Sequence, residues 1–227
     1  MTAEQIKKTA HELGAELCKI ADVSRFEGAP KGYHPKDVMS TFKSAIAFAI
    51  RIPAATIHSQ STMPYTHAKK MLAQKIDQIS IDLCIKLEQQ GILAIPIPAG
   101  ESEWDAQSGR KRSIVSIKHA AQAAGLGTIG RHSLVVTPEL GSMVWLGAVL
   151  TDAELEADPM LEPACTQCNL CVDACPVNAW AQQEMDQMAC LGYAFGEDPE
   201  KKSFRIHCHK CRDICPYNFG QWNRNHF

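Results

Sequence analysis

No apolar run in this 227-residue sequence reaches the roughly 20 residues that a membrane-spanning helix needs. The chain opens Met1-Thr2-Ala3-Glu4, without a charged-then-apolar leader or paired arginines. Both lacks lead us to expect a cytoplasmic protein with no membrane partner. A strong net charge is also missing, the formal value being −2. No global basic field therefore argues for nucleic acid, though a local basic patch is compatible with that balance. There is no low-complexity tract, and no internal repeat apart from a doubled cysteine motif. With 45% hydrophobic and 21% charged residues, the composition is that of a globular chain. The length suits one or two domains with a substantial core.

Cysteine is abundant by contrast, at ten residues. In a reducing compartment clustered cysteines bind metal more readily than they form disulfides. Cys18 and Cys84 stand alone in apolar stretches and read as small buried hydrophobes. The other eight lie between Cys165 and Cys215. The first motif is Cys165-x2-Cys168-x2-Cys171-x3-Cys175-Pro176, and the second is Cys208-x2-Cys211-x3-Cys215-Pro216. Three thiolates at two-residue gaps can wrap one cubane cluster, while the cysteine before proline reaches the other cluster. The second motif is one ligand short, and Cys190 completes the count. This yields two [4Fe–4S] clusters, the first on Cys165, Cys168, Cys171 and Cys215, the second on Cys175, Cys190, Cys208 and Cys211. A zinc ribbon also uses paired CxxC elements, but does not need this triple spacing followed by Cys-Pro, twice. His207 and His209 flank Cys208, either as groups that tune the cluster potential or as exposed loop histidines.

Upstream, helical spacing of Ile6, Ala10, Leu13 and Leu17 predicts a helix over residues 3–17. Strands are expected at Leu17 to Val23, Ser44 to Ile52, Ile92 to Ile97, Leu134 to Thr137 and Met143 to Thr151. A long helix from about Tyr65 to Gln90 should bury Met71, Leu72, Ile76, Ile79, Leu83 and Leu87. Residues 113–124 form a further helix, 24–41 and 100–112 read as loops, and 152–163 as a linker. The fold class is α/β or α+β, with an N-terminal domain over 1–155 and a cysteine-rich domain over 156–227. Gly125-Leu-Gly-Thr-Ile-Gly130 fits a dinucleotide fingerprint, but a helix precedes it and a strand follows, the reverse of the order that fingerprint requires. Its glycines should serve a turn with positive φ or a close backbone approach to a bulky ligand.

The run Gly125-Leu-Gly-Thr-Ile-Gly-Arg-His-Ser-Leu, then Thr137-Pro-Glu-Leu-Gly141 and Leu146-Gly-Ala-Val-Leu-Thr-Asp152, resembles epoxyqueuosine reductase. The order of cysteines matches too, including Cys190 before Leu-Gly-Tyr193 and the ending Cys215-Pro-Tyr-Asn218. The resemblance covers about Gly125 to Asn218 strongly and the earlier chain weakly. It implies a nitroreductase-like corrinoid-binding domain followed by a ferredoxin-like domain whose clusters pass electrons to a cobalamin cofactor. It also implies that His132 and Ser133 approach the corrinoid. Reductive dehalogenases share this plan more distantly.

Two departures bear on the reaction. The position of the family's proton-donating aspartate falls near Lys111, and no acid lies between Arg110 and Gly130. The nearest are Glu103 and Asp105. The chain also stops 12 residues after Cys215, where longer relatives continue into a tRNA-holding extension, so tRNA is not expected as a partner. The basic run Arg110 to Arg112, with Lys118, either faces an anionic ligand or is a solvated loop. Three readings follow: a corrinoid-using iron–sulfur oxidoreductase, an electron-transfer and docking protein without its own substrate, and a genuine epoxyqueuosine reductase. The catalytic residue is unassigned, and the electron donor is expected to be of ferredoxin or flavodoxin type. Protein purified anaerobically should carry about eight irons and eight sulfides per chain, checked by metal and acid-labile sulfide analysis.

Overall fold

A computed structural model describes residues 1–181, 184–198 and 203–221. In chain order the elements are α1 (Ala3–Glu12), β1 (Leu17–Asp22), α2 (Pro35–Val38), β2 (Ser44–Arg51), α3 (Met63–Glu88) and β3 (Ala94–Ile97). They continue with β4 (Glu103–Asp105), β5 (Arg110–Arg112), α4 (Ile117–Ala123), β6 (Thr128–Ile129), β7 (Val135–Val136) and β8 (Val144–Thr151). The cysteine-bearing part adds α5 (Leu170–Asp173), α6 (Gln187–Ala194), β9 (Phe195–Asp198), β10 (Ser203–Ile206) and α7 (Lys210–Asp213). The class is mixed α/β.

A four-stranded antiparallel sheet in the order β1-β2-β8-β3 forms the centre. Strand β2 is apolar from Ala45 to Ile50 because both of its faces are covered. Ile46, Phe48 and Ile50 point to the side of α1 and α3, where Ile6, Ala10, Ile76, Ile79 and Leu83 meet them. Ala45, Ala47 and Ala49 point to the other side, toward Ala120, Ala121 and Ala124 of α4 and its end. Small side chains on both partners let α4 approach the sheet closely. On β8, Gly147 faces Phe48: a Cβ there would sit 2.5 Å from Phe48 Cζ and 2.7 Å from Ile76 Cγ2. Cys18 and Cys84 are buried in the α1–α3 layer, and desolvation pushes both thiols up to about 12.

Several expectations change. Helix α1 ends at Glu12, five residues early, and Gly14 follows with a φ of 107°. Met71 is 47% exposed, because the buried stripe of α3 runs through Ile76, Ile79, Leu83 and Leu87. Residues 100–112 are not a plain loop: β4 and β5 pair as a hairpin. Its strands, Glu-Trp-Asp and Arg-Lys-Arg, are too short to show a period, and it is braced by an Arg112–Asp105 ion pair at 3.0 Å. Helix α4 starts at Ile117 with Ser116 as its cap, not at Ser113. The segment expected as a linker is strapped to the sheet. Asp158 there, 8% exposed, accepts the Ile20 N–H at 2.9 Å and pairs with Lys7 at 3.1 Å and Lys19 at 3.3 Å.

The cysteine-bearing part shares a core with the first layers. Ile206 and Phe219 pack with Ile52, Ala54, Ile57, Tyr65 and Met143. The Ile206 N–H donates to Thr66 Oγ1 at 3.0 Å, and the Met143 N–H to the Asn218 carbonyl at 3.0 Å.

Burial alone would raise the Asp158 pKa, but the Ile20 N–H, Lys7 and Lys19 outweigh it and hold the carboxyl below 3.8. A depressed folded-state pKa means stability that is complete above the unfolded value and lost as pH falls below it. Asp158→Asn should cost about 1–3 kcal/mol at neutral pH. It should also remove the acid limb that Asp158 contributes below pH 3.8. Chemical unfolding across pH measures both.

Candidate redox site

Cys165, Cys168, Cys171 and Cys215 line one small cavity together with Arg131 and His132. Left-handed backbone at Gln167 (φ 57°) and Asn169 (φ 61°) turns the chain sharply between the cysteines, a conformation asparagine tolerates well. The Arg131 N–H donates to Cys165 Sγ at 3.4 Å. Burial raises the Cys171 pKa, and nearby Cys215, Cys165 and Cys168 raise it further. Cys168 is exposed, whereas Cys171 and Cys215 are buried.

Cys175, Cys190, Cys208 and Cys211 gather as a second group. Burial raises the Cys190 pKa, followed by the charges of Cys175 and Cys208. Burial likewise pushes Cys211 up to about 11, with Cys190, Cys208 and Cys171 adding to it and Arg212 opposing. The Ala179 N–H donates to Cys175 Sγ at 3.4 Å. Helix α5, which carries Cys171, packs against α7, which carries Cys211, so the two groups lie side by side. Among the described residues, no three His, Cys, Asp or Glu side chains converge closely enough to hold a single ion. The cysteines of the first group border a space rather than a point.

Beside these groups opens a cleft of about 840 Å³. Its walls come from the β5 end of the hairpin, α4, the start of β8, and Gln187 and Leu191 of α6 on either side of Cys190. Six cationic side chains line it: Arg25, Arg110, Lys111, Arg112, Lys118 and Arg212. Among the described residues, no carboxylate does. Asp105 belongs to β4 of the hairpin and does not line the cleft. Its Ser108 hydrogen bond leads the interactions that keep its pKa low, which leaves it ionised and unable to donate a proton. Glu103 is exposed. Lys111 is fastened at its backbone, its N–H donating to Gln187 Oε1 at 2.7 Å and its carbonyl accepting from Gln187 Nε2 at 3.2 Å. Lys118 touches solvent through the cleft, yet the protein crowded around its amine lowers its pKa, and it donates to the Ser133 carbonyl at 2.9 Å. Burial, then Lys118, lowers the pKa of adjacent His119.

His132 and Ser133 are not on the cleft wall. His132 is 4% exposed and faces the first cysteine cavity, with Nδ1 accepting the Leu134 N–H at 3.1 Å. Burial, then Arg212 and Lys118, drives its pKa down to about 4, so the ring is neutral. The Ser133 hydroxyl reaches Met185 Sδ at 3.5 Å. His209 packs against Tyr65 with the rings tilted and 4.7 Å between centres, while His207 is exposed. The glycine motif serves the chain's own backbone. Gly125 has a φ of 70°, and a Cβ there would overlap the Pro159 carbonyl. A Cβ on Gly127 would sit 2.6 Å from Val135 Cγ1 and 2.7 Å from the Val136 carbonyl. The motif thus makes the β6–β7 hairpin that carries Arg131 and His132 to the cysteines. Ser142, Trp145 and Arg212 also line the cleft and were not singled out from the sequence. Arg212, set between Cys211 and Cys215, was the one with a readable signal.

Models of the 4Fe-4S binding domain match residues 162–180 and, separately, residues 206–218. The chain is similar to epoxyqueuosine reductases. It is 28% identical over 209 residues to that of Bacillus anthracis, covering 86% of this chain and 53% of the relative. To that of Synechococcus sp. (strain CC9605) it is 37% identical over 109 residues, 43% of this chain and 34% of the relative. The chain thus spans about half or less of the curated relatives it matches. The solved epoxyqueuosine reductase from Streptococcus thermophilus superposes with a TM-score of 0.65 at 23% identity, over 96% of this chain and 66% of that one. A catabolic reductive dehalogenase superposes at 0.67 and 19% identity, over 95% and 32%. The protein is therefore an iron–sulfur redox protein with two [4Fe–4S]-binding motifs and the fold of these reductases.

Gly127→Ala should cost about 1–3 kcal/mol through overpacking against β7. A lowered thermal midpoint together with slower cluster reconstitution is the expected readout.

Proposed function

We propose that this protein is an oxidoreductase in which two [4Fe–4S] clusters deliver electrons to a molecule held in the basic cleft. The observation that carries this reading is the wall the two sites share: Gln187 and Leu191 flank Cys190, and Arg212 follows Cys211. The first cluster is held by Cys165, Cys168, Cys171 and Cys215, the second by Cys175, Cys190, Cys208 and Cys211. Cys168 lies exposed, so the first cluster meets a ferredoxin- or flavodoxin-type donor, and the second faces the cleft. Residues 1–155 act as a nitroreductase-like domain and 156–227 as a ferredoxin-like one, the latter including residues outside those described.

The cleft suits a large cofactor such as a corrinoid. Its volume of about 840 Å³ is that of a roomy ligand site, and Ser116, Lys118 and Gln187 put polar side chains on its wall. Those groups would hold it, and a corrinoid there would supply low-potential reducing chemistry at cobalt. One structural neighbour is described through B12-dependent dehalogenation. The chain's own residues orient the ligand with cations, and Lys111, Lys118, His119 and the Tyr33 phenol are proton sources among the described residues of the wall. An epoxide-opening step needs a proton delivered to the alkoxide. With no carboxylate among the described residues lining the cleft, Lys118, whose pKa burial lowers, is the candidate donor.

A second reading, reduction of epoxyqueuosine in tRNA, is favoured by the names of the relatives, one of which was solved with an epoxyqueuosine-modified tRNA stem loop. Restoring queuosine in a strain lacking the enzyme would establish it. For the first reading, reconstituted protein is titrated anaerobically with cob(II)alamin, which should change its spectrum on binding. An unchanged spectrum with several corrinoids sinks the cofactor assignment. Cys190→Ser should lower iron from about eight to about four per chain. Iron staying at about eight would remove Cys190 from the ligand set.

A further inference from the structure

The β4–β5 hairpin reaches the cleft without a hydrophobic anchor. Over residues 101–109 every residue is exposed except half-buried Asp105, and Trp104 is 53% exposed. A two-stranded hairpin that buries no apolar face is marginal by itself. Polar contacts at its flanks must therefore set its place. On one flank Arg112 lies over the Tyr33 ring at 5.1 Å. On the other, Arg110 pairs with Glu184 at 2.6 Å and donates to the Met185 carbonyl at 3.3 Å. Glu184 is 79% exposed, so water screens that ion pair and it contributes little.

The contact with Gln187 is of another kind. The N–H and C=O of a strand residue point to one edge, and those of Lys111 point away from β4. The Gln187 side-chain amide meets both, accepting the N–H at 2.7 Å and donating to the carbonyl at 3.2 Å. It pairs with β5 as one residue of a third strand would. Gln187 opens α6, one turn ahead of Cys190. Among the described residues, α6 is the element that β5 packs against most, apart from β4. Helix α6 has eight residues and fully buries only Ala194, so packing alone holds it weakly and ligation through Cys190 would fix it.

We infer that Gln187 is a positioning residue that couples the second cluster to the cleft: with Cys190 ligated, α6 holds β5 in place through Gln187 and the basic wall is assembled. This rests on the reading of Cys190 as a cluster ligand. Three of the six cationic side chains on the wall, Arg110, Lys111 and Arg112, ride on β5. Without the cluster the hairpin would come loose and take that charge with it. The cleft would then hold its ligand only when electrons can be supplied to it. The coupling is reciprocal, so a ligand held by β5 would steady the second cluster.

Trypsin cuts after lysine and arginine, and β5 offers three such sites in a row. Cutting there needs an undocked hairpin, so its rate follows the undocked population. Reconstituted protein is digested anaerobically, the cut sites are identified by mass spectrometry, and iron is measured on the same samples. Exposed Lys8 and Lys86, on α1 and α3, serve as control sites. Gln187→Ala should keep about eight irons yet be cut at β5 about tenfold faster, as expected for two lost hydrogen bonds. Gln187→Glu should keep part of the protection, because its carboxylate still accepts the Lys111 N–H. Cys190→Ser, at about four irons, should also be cut faster at β5. Neither Gln187→Ala nor Cys190→Ser should change cutting at the control sites. Gln187→Ala leaves all eight cysteines in place and carries the test if Cys190→Ser misfolds. Unchanged protection of β5 in Gln187→Ala overturns the coupling, as does unchanged protection in Cys190→Ser after its iron has fallen. Equal acceleration at Lys8 and Lys86 overturns it too, since that is general loss of stability. Iron that stays at its full value in Cys190→Ser defeats the ligand reading and the coupling with it, and the metal analysis shows this separately from the digestion.

Discussion

The structure depends on a clamp between two backbone turns. A Cβ on Gly141 would overlap the Tyr217 carbonyl, and Gly220 approaches the Gly141 amide and the Pro138 carbonyl just as closely. The Met143 N–H donates to Asn218, and the Gln221 N–H to Pro138 at 2.8 Å. This contact presses the Cys215-Pro216 loop onto the start of β8. One side of the clamp then supplies the fourth cysteine of the first group. The other places Ser142 and Trp145 on the cleft. Neither site is complete without it, because the cysteine loops have little apolar surface with which to pack by themselves.

The glycine motif plays a similar part nearer the centre. Its close approaches are to Pro159, Val135 and Val136 rather than to a ligand. It therefore builds a short hairpin whose Arg131 amide bonds a cysteine sulfur and whose neutral His132 closes the cavity. Hydrogen bonds to sulfur and a buried uncharged ring both bear on a cluster's potential. What resembles a nucleotide fingerprint is thus a strut between the cofactor ligands and the sheet.

Electrostatics divide the molecule cleanly. Asp105 and Glu184 pair with Arg112 and Arg110, and among the described residues no carboxylate lines the wall. The wall carries six cations beside neutral polar and apolar side chains. That arrangement favours an anion, and burial lowers the pKa of two of its nitrogen acids, Lys118 and His119.

Much of this was legible in the residues. The cysteine spacing determined the two metal motifs, since a cubane constrains its ligands locally. The alternation of Ile46, Phe48 and Ile50 with Ala45, Ala47 and Ala49 determined a strand covered on both faces. Charged three-residue strands such as β4 and β5 carry no period to read, so the hairpin went unseen. The helix stop at Glu12 and the surface place of Met71 depend on what packs against them. The cleft was beyond the sequence altogether. Arg25, Lys118 and Arg212 are far apart along the chain, and only tertiary packing brings them to one wall.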